Sequence, residues 1–441
     1  MTEKATPTAG LLLADDTIVE EVMVAGKPQL LSQRPHSDPE IAETLEAGGY
    51  FLTAQNDNLI RCGAVKLPGP PQPYGSEQRL TDEVRQFIHA YVQLTGPAER
   101  MATFYVLHSW TADQLSVTPY FRLLDDYGRG KTRALETIGS LCRLPMFAAG
   151  ATTASPIFRM LERYRGGTFI MDEADHRDTD LWADITKILN QGYMKGWPVL
   201  RSEKVRGGYE PMAYDCFGPK LLATRARFDD DALESRCITY QMPSLNRQDV
   251  PLILPPTFEE EAQALRSKLL SYRLDKVRAV RAWVPAVYHT NGLDPRLSQI
   301  IAPLQRTITD EETRRELDTF AREYQQELVV NRGLGVEARV MQAIIGLHNA
   351  GQFLRMGTIA AEANREEGGE PLTAKVVGNT VRGSLHLPVH QVKGRYQVRW
   401  EQAQMDTLAN YYGLGDDDEH EPEEEEENAR WPMGEVNDGI R

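Results

Sequence analysis

Cysteine is scarce in this chain. Four occur in 441 residues, at Cys62, Cys142, Cys216 and Cys237, and none belongs to a CxxC pair. That leaves neither a cysteine zinc site nor a secreted disulfide framework. No stretch approaches the roughly 18 consecutive apolar residues of a membrane span, and Met1–Gly10 lacks a signal-peptide pattern. The expectation is a cytoplasmic protein with no membrane contact. No internal repeat is visible, which sets aside solenoids and propellers. The histidines fall into no metal-ligating spacing, apart from His386 and His390, a pair that simple alternation along a hairpin makes ordinary. No GxSxG elbow or Cys–His pair offers a nucleophile for acyl transfer.

What the chain does have is an ordinary globular balance, 41% hydrophobic and 26% charged, with length for two or three domains. Its net charge of −15 is unevenly placed. From Asp416 to Arg441 there are twelve acidic and two basic residues, so the rest of the chain carries only −5. Local patches, not the whole-chain charge, therefore decide what it binds. The tail is expected to be disordered for want of apolar surface. It reads either as a solubilising end or as a mimic of nucleic acid on a basic surface.

Alternation over Thr17–Val24 predicts a short strand, and Val65–Pro73 reads as a proline-rich linker. Leu80, Val84, Phe87, Ile88 and Tyr91 recur at helical spacing, and a second apolar helix is expected over Ala98–Leu115. From Thr118 to Tyr240 short apolar strands alternate with helices. The strands are expected at Tyr120–Leu124, Pro145–Gly150, Thr168–Met171, Lys220–Thr224 and Cys237–Tyr240. This is the pattern of a parallel sheet covered on both faces. After Pro255 the chain reads as helical, and Val336–Trp400 as three helices and a hairpin.

The turn after the first strand is Asp125-Asp126-Tyr127-Gly128-Arg129-Gly130-Lys131-Thr132. It ends as a phosphate-binding loop does, with Asp125 where that loop usually begins with glycine. Amides of Gly128, Arg129 and Gly130 at a helix N-terminus would cradle phosphate oxygens. Lys131 would reach the β- and γ-phosphates and the Thr132 hydroxyl would bind Mg²⁺. Asp172-Glu173 follows a buried strand, 41 residues beyond Lys131. Asp172 would serve the Mg²⁺ shell and Glu173 would polarise the attacking water. A chance Gly-Lys-Thr turn, or two solvated acids at a strand end, is the bland reading of either motif alone. The two together predict a nucleotide triphosphatase that uses ATP and Mg²⁺.

Residues from about Leu80 to Tyr240 resemble the AAA+-type, helicase-like P-loop ATPases of phages, plasmids and integrated elements, often linked to primases. The residues carrying the resemblance are Gly130-Lys131-Thr132, Asp172-Glu173-Ala174-Asp175, Lys187-Ile188-Leu189-Asn190, Phe217-Gly218-Pro219-Lys220 and Leu233-Glu234-Ser235-Arg236-Cys237. The resemblance implies that Thr224 senses the γ-phosphate. It also implies that Arg236 acts as an arginine finger in the neighbouring site of an oligomeric ring, with a hexamer expected. The plainer reading of Arg236 is a surface ion pair with Glu234 or a nearby acid.

Pro198–Tyr209 reads as a β-hairpin with a Gly207-Gly208 turn and Lys204 and Arg206 near the tip. Related hexameric helicases project such a hairpin into the ring's pore, where basic residues grip phosphates without regard to sequence. A solvated turn is the alternative. Pro371–Trp400 has five Lys/Arg and no acid. Three helices and a basic hairpin look like a winged-helix domain, with Lys375, Arg382, Lys393 and Arg395 toward DNA. The alternative is a packing or protein-contact module.

The expected architecture is α/β: 1–79 of unassigned function, 80–117 a helical collar, 118–255 an AAA+-type P-loop ATPase core, 256–333 helical, 334–413 a winged helix and 414–441 a disordered acidic tail. The expected function is an ATP-dependent DNA helicase or translocase for a phage or mobile element, partnered by a primase or polymerase. A nucleotide-switched initiator or helicase loader that hydrolyses slowly is the alternative, and a defence role is a third.

Overall fold

The computed structural model describes residues 5–414 except 126, 127, 129, 150, 151, 174–178, 206, 229, 243–246, 283–291, 366–370 and 393, and leaves the side chains of 179–182 undescribed. The acidic tail, Arg129, Arg206 and Lys393 therefore lie outside the described residues. The chain divides into two compact units, Met1–Gln325 and Gln326–Arg441.

The first unit opens with seven short strands where the sequence pattern predicts one. They are β1 (Thr6–Thr8), β2 (Gly10–Leu12), β3 (Ile18–Val24), β4 (Lys27–Gln33), β5 (Glu40–Ala42), β6 (Thr44–Ala47) and β7 (Tyr50–Ala54). They form a four-stranded sheet, β2-β3-β4-β5, and a three-stranded one, β1-β7-β6. Ala25 and Gly26 turn β3 into β4 with positive φ at both positions, the two-residue geometry that matches strand twist. Helix α1 (Asn58–Arg61) follows, with Asp57 as its cap. Val65–Pro73 is no free linker: Val65 and Leu67 are buried, and the Pro68 carbonyl accepts from Met23 N–H at 2.8 Å.

Helix α2 (Glu77–Tyr91) starts before its apolar stripe, because the Ser76 side chain caps it by accepting from Arg79 N–H at 3.1 Å. Helix α3 (Gly96–Ser109) is buried nearly all round and stops short of Leu115. Charge ties these parts together. Buried Glu20 on β3 accepts from Arg143 at 2.9 and 3.1 Å and from Arg273 at 2.6 Å, and Arg273 also grips Asp113 at 2.7 and 2.9 Å. Two buried guanidiniums facing two carboxylates compensate one another's desolvation.

The core sheet comprises β8 (Tyr120–Leu124), β9 (Met146–Ala148), β10 (Phe169–Met171), β13 (Lys220–Thr224) and β14 (Cys237–Gln241), all parallel in the order β14-β8-β13-β10-β9. Helices α4 (Lys131–Gly139), α5 (Ala154–Arg163) and α6 (Thr179–Gln191) connect the strands. The strands are mostly buried and mostly apolar because both faces are covered, with Arg122 and Lys220 as buried exceptions. This is a mixed α/β arrangement consistent with a P-loop-like core.

Between α6 and β13 the chain makes an antiparallel hairpin, β11 (Val199–Val205) with β12 (Gly208–Tyr214). Lys220, fully buried, closes its neck. The ammonium donates to the carbonyls of Gly192 (3.2 Å), Cys216 (2.8 Å) and Gly218 (3.0 Å), and lies 4.9 Å from the Tyr120 ring centre. Gly192 is required there, since a Cβ would run into the Cys216 carbonyl and the ammonium itself. A short helix α7 (Asp231–Glu234) precedes β14, and helices α8 (Phe258–Arg281), α9 (Pro295–Thr307) and α10 (Glu311–Gly333) follow. No helix among the described residues is long and apolar enough to cross a membrane.

The second unit holds α11 (Val336–Asn349), α12 (Met356–Ala363), α13 (Ala374–Asn379), the strand pair β15 (Val389–Val392) and β16 (Arg395–Val398), and α14 (Gln402–Tyr411). Val340, Ile344, Ile359, Val377 and Val381 form its core. The third expected helix narrows to α13 and a wider π turn over Thr380–Ser384, and α14 is an element the sequence pattern did not predict.

Candidate nucleotide and nucleic-acid sites

The carboxyl ends of β8, β10 and β13 converge on one edge of the sheet. Leu124 pairs with Thr224 across β8 and β13, and Met171 with Leu222 across β10 and β13, so the segments that follow are neighbours. The β8–α4 turn enters this edge at Asp125, whose N–H donates to the Thr224 carbonyl at 3.2 Å. Asp125 in the usual glycine position is thus accommodated through its backbone, and its own carbonyl accepts from the Lys131 ammonium.

Gly128 and Gly130 both have positive φ, 78° and 83°, and a Cβ on either would meet open space. Gly130 is the residue immediately before helix α4, so the turn delivers backbone amides to a helix N-terminus, the arrangement that takes an anion. The Thr132 hydroxyl, on the first turn of α4, donates to Asp172 Oδ2 at 2.5 Å. The two residues are 40 positions apart, and the sheet brings them together. Thr224 is fully buried and its hydroxyl has no hydrogen-bond partner among the described residues. This donor set fits a nucleoside triphosphate with a divalent cation: open glycine amides, an ammonium, a hydroxyl–carboxylate pair and an unsatisfied hydroxyl.

Glu173 departs from ordinary backbone geometry. Its φ is +53°, a strained value for a residue with a Cβ and one that clusters at functional sites. Its N–H donates to Asp172 Oδ1 at 2.9 Å, and its exposed carboxylate pairs with Arg225, the residue after Thr224. Arg225 was missed in the sequence. Its only signal there is adjacency to the expected sensor.

Arg236 does not pair with Glu234. Its guanidinium donates to the Asn190 carbonyl at 3.0 Å and to the Asn190 side chain, and lies 4.1 Å from the Tyr193 ring centre. Glu234 instead takes buried Arg122. Arg236 therefore sits at the end of α6, where the hairpin insertion begins.

The hairpin has two unlike faces. Opposed residues share a face, so Arg201, Glu203 and Met212 lie on one side, and Leu200, Lys204, Tyr209 and Pro211 on the other. The first side is engaged: Arg201 pairs with Asp184 at 2.8 Å and lies 4.6 Å from the Phe158 ring, and Glu203 pairs with Arg159 at 3.1 Å. The second side is exposed, with Tyr209 at 73% exposure directly across from Lys204. Tyr209 was another omission: the expected Gly207-Gly208 turn would set Arg206 opposite it, whereas the strands close at Val205 and Gly208 and bring Lys204 there.

In the second unit Lys375, Arg382 and Arg395 are all exposed. Arg382 donates to the Gly378 carbonyl at 3.1 Å and lies 5.6 Å from the Tyr396 ring, linking the α13 region to the hairpin. Among the described residues no group of three His, Cys, Asp or Glu gathers as a metal cluster.

No protein-family model and no curated protein matches the chain. Solved structures do. The active helicase Cch of SCCmec type IV is similar at 13% identity and TM-score 0.40, over 90% of this chain and 95% of that one. The NrS-1 C-terminal region (305–718) without ligand is similar at 10% identity and TM-score 0.35, over 87% and 96%. Both likenesses are weak in sequence and in superposition.

Proposed function

We propose that the chain is an ATPase that moves along or unwinds DNA as an oligomeric ring, in the replication of a phage or mobile element. The observation that carries the reading is the 2.5 Å bond between Thr132 and Asp172. It brings a helix-start hydroxyl behind a glycine turn onto a carboxylate at the end of a neighbouring strand, the pairing that Mg²⁺–nucleotide binding needs.

Lys131 and the amides at Gly128–Gly130 hold the phosphates, and Thr132 with Asp172 holds the cation. When bound, the cation neutralises charge on the phosphate oxygens. Glu173 takes the proton of the attacking water, and the Thr224 hydroxyl, unpaired among the described residues, donates to the γ-phosphate. Arg236 serves the neighbouring subunit's site from its perch on Asn190. The hairpin carries the grip on DNA: Lys204 and Arg206 take phosphates, and Tyr209 offers an aromatic face to a base. The second unit, read as a winged helix, adds Lys375, Arg382, Lys393 and Arg395 against duplex phosphates. A primase or polymerase is the expected companion.

The test is ATP hydrolysis by the purified protein, with and without single-stranded and duplex DNA, at low and moderate salt. Hydrolysis stimulated by single strands and abolished in Lys131→Ala and Glu173→Gln is the expected result. Unchanged hydrolysis in both variants would remove the mechanism. A slow, unstimulated rate with tight duplex binding would make the protein a nucleotide-switched initiator or loader instead.

A further inference from the structure

We infer that Arg225 is the residue that distinguishes a triphosphate from a diphosphate, by exchanging the Glu173 carboxylate for the γ-phosphate. The inference rests on the nucleotide reading of this site. Arg225 follows Thr224 directly, so it emerges from β13 at the edge where the glycine turn and Asp172-Glu173 meet. Its Nη2 donates to Glu173 Oε1. Glu173 is the carboxylate assigned to the attacking water, and the guanidinium occupies one of its two oxygens.

Two features make the pair exchangeable. Its side chains are 36% and 48% exposed, so water screens it and the ion pair contributes little. A phosphate offers the same planar donor fork more negative charge and more acceptor oxygens than one carboxylate does. The Glu173 backbone is meanwhile held by its N–H bond to Asp172, so the root of the side chain keeps its place independently of Arg225. Departure of the guanidinium therefore frees the carboxylate while its backbone stays in place. ADP has no γ-phosphate and leaves the pair closed, so Arg225 vacates Oε1 only when a triphosphate arrives.

The experiment is equilibrium binding of ADP and of a slowly hydrolysed ATP analogue, with Mg²⁺, to wild type, Arg225→Gln, Glu173→Gln and the double variant. Arg225→Gln is expected to weaken the analogue about tenfold and leave ADP within about twofold. Glu173→Gln removes the competitor, so the analogue tightens several-fold while ADP stays put. In the double variant that gain disappears. Equal loss of both nucleotides in Arg225→Gln, or a Glu173→Gln gain that persists in the double variant, overturns the inference. Failure of wild type to bind either nucleotide overturns both the inference and the reading beneath it, so the two failures are distinguishable.

Discussion

Arg122 is wholly buried in the middle of the sheet, and both its terminal nitrogens donate to the carboxylate of Glu234, at 2.6 Å through Nη1. Thr239 Oγ1 accepts from Nε and Nη2 of the same guanidinium at 3.1 and 2.8 Å. The segment that leads to Arg236 is thus anchored to the strand that carries the glycine turn. Glu234→Ala strands a buried cation and should cost about 3 kcal/mol in chemical denaturation. The joint change Arg122→Met with Glu234→Leu should recover much of that loss. A loss below about 1 kcal/mol in the single variant would mean that water already reaches the pair.

Thr132→Ala should weaken Mg²⁺-dependent nucleotide binding by about 10–100-fold, and Thr132→Ser should restore it. Titrations with and without chelator separate the cation's share. A Thr132→Ala protein that binds as wild type does in Mg²⁺, and loses the same increment when the metal is removed, would deny the hydroxyl its role.

On the hairpin, Lys204 and Tyr209 face each other but should fail differently. Lys204→Ala should lower the slope of log affinity for single-stranded DNA against log salt by about one. Tyr209→Ala should cost about 1–3 kcal/mol at every salt concentration and leave the slope alone, with Tyr209→Trp retaining affinity. If Tyr209→Ala binds like wild type, the exposed ring does not stack on DNA.

Glu21 gives a pH prediction. Burial, reinforced by the negative charge of Asp57, pushes its carboxyl up to about 9. The unfolded chain releases this proton near the ordinary carboxyl value, whereas the folded chain keeps it. The folded state therefore binds more protons between about pH 4.5 and 9, and its stability falls as pH rises through that window. Glu21→Gln removes the dependence, so its melting temperature relative to wild type should climb from pH 5 to pH 8.5. A constant offset across that range would assign the penalty to packing instead of charge.

The parallel sheet was legible because burial on both faces writes its strands as largely apolar runs, as in Phe169-Ile170-Met171, and the glycine turn marks where one ends. Thr132 and Asp172 were legible as residue types, and their contact needed the register of β10 and β13. The N-terminal sheets were mostly unreadable. β3 alone was read, from the alternation over Thr17–Val24, without showing that Glu20 and Glu21 both lie inside, and β1, β2 and β5 are three residues long, too short for a period to show. Glu20 is there because Arg143 and Arg273 meet it from sequence positions over 120 residues away, a pairing no local window contains. Val65–Pro73 misled for a related reason. Prolines that signal a linker also suit a buried strap whose carbonyls are taken by Met23 and Arg266.

Lys220 closes the neck of the hairpin insertion with one ammonium on three carbonyls, so the two ends of the insertion are held together whatever lies between them. Loop-closure cost grows only slowly with length once the ends are fixed. The insertion is in this sense a cartridge. A change of length or charge at its exposed tip need not disturb the sheet, whereas its engaged face is tied to α5 and α6 through Arg159 and Asp184.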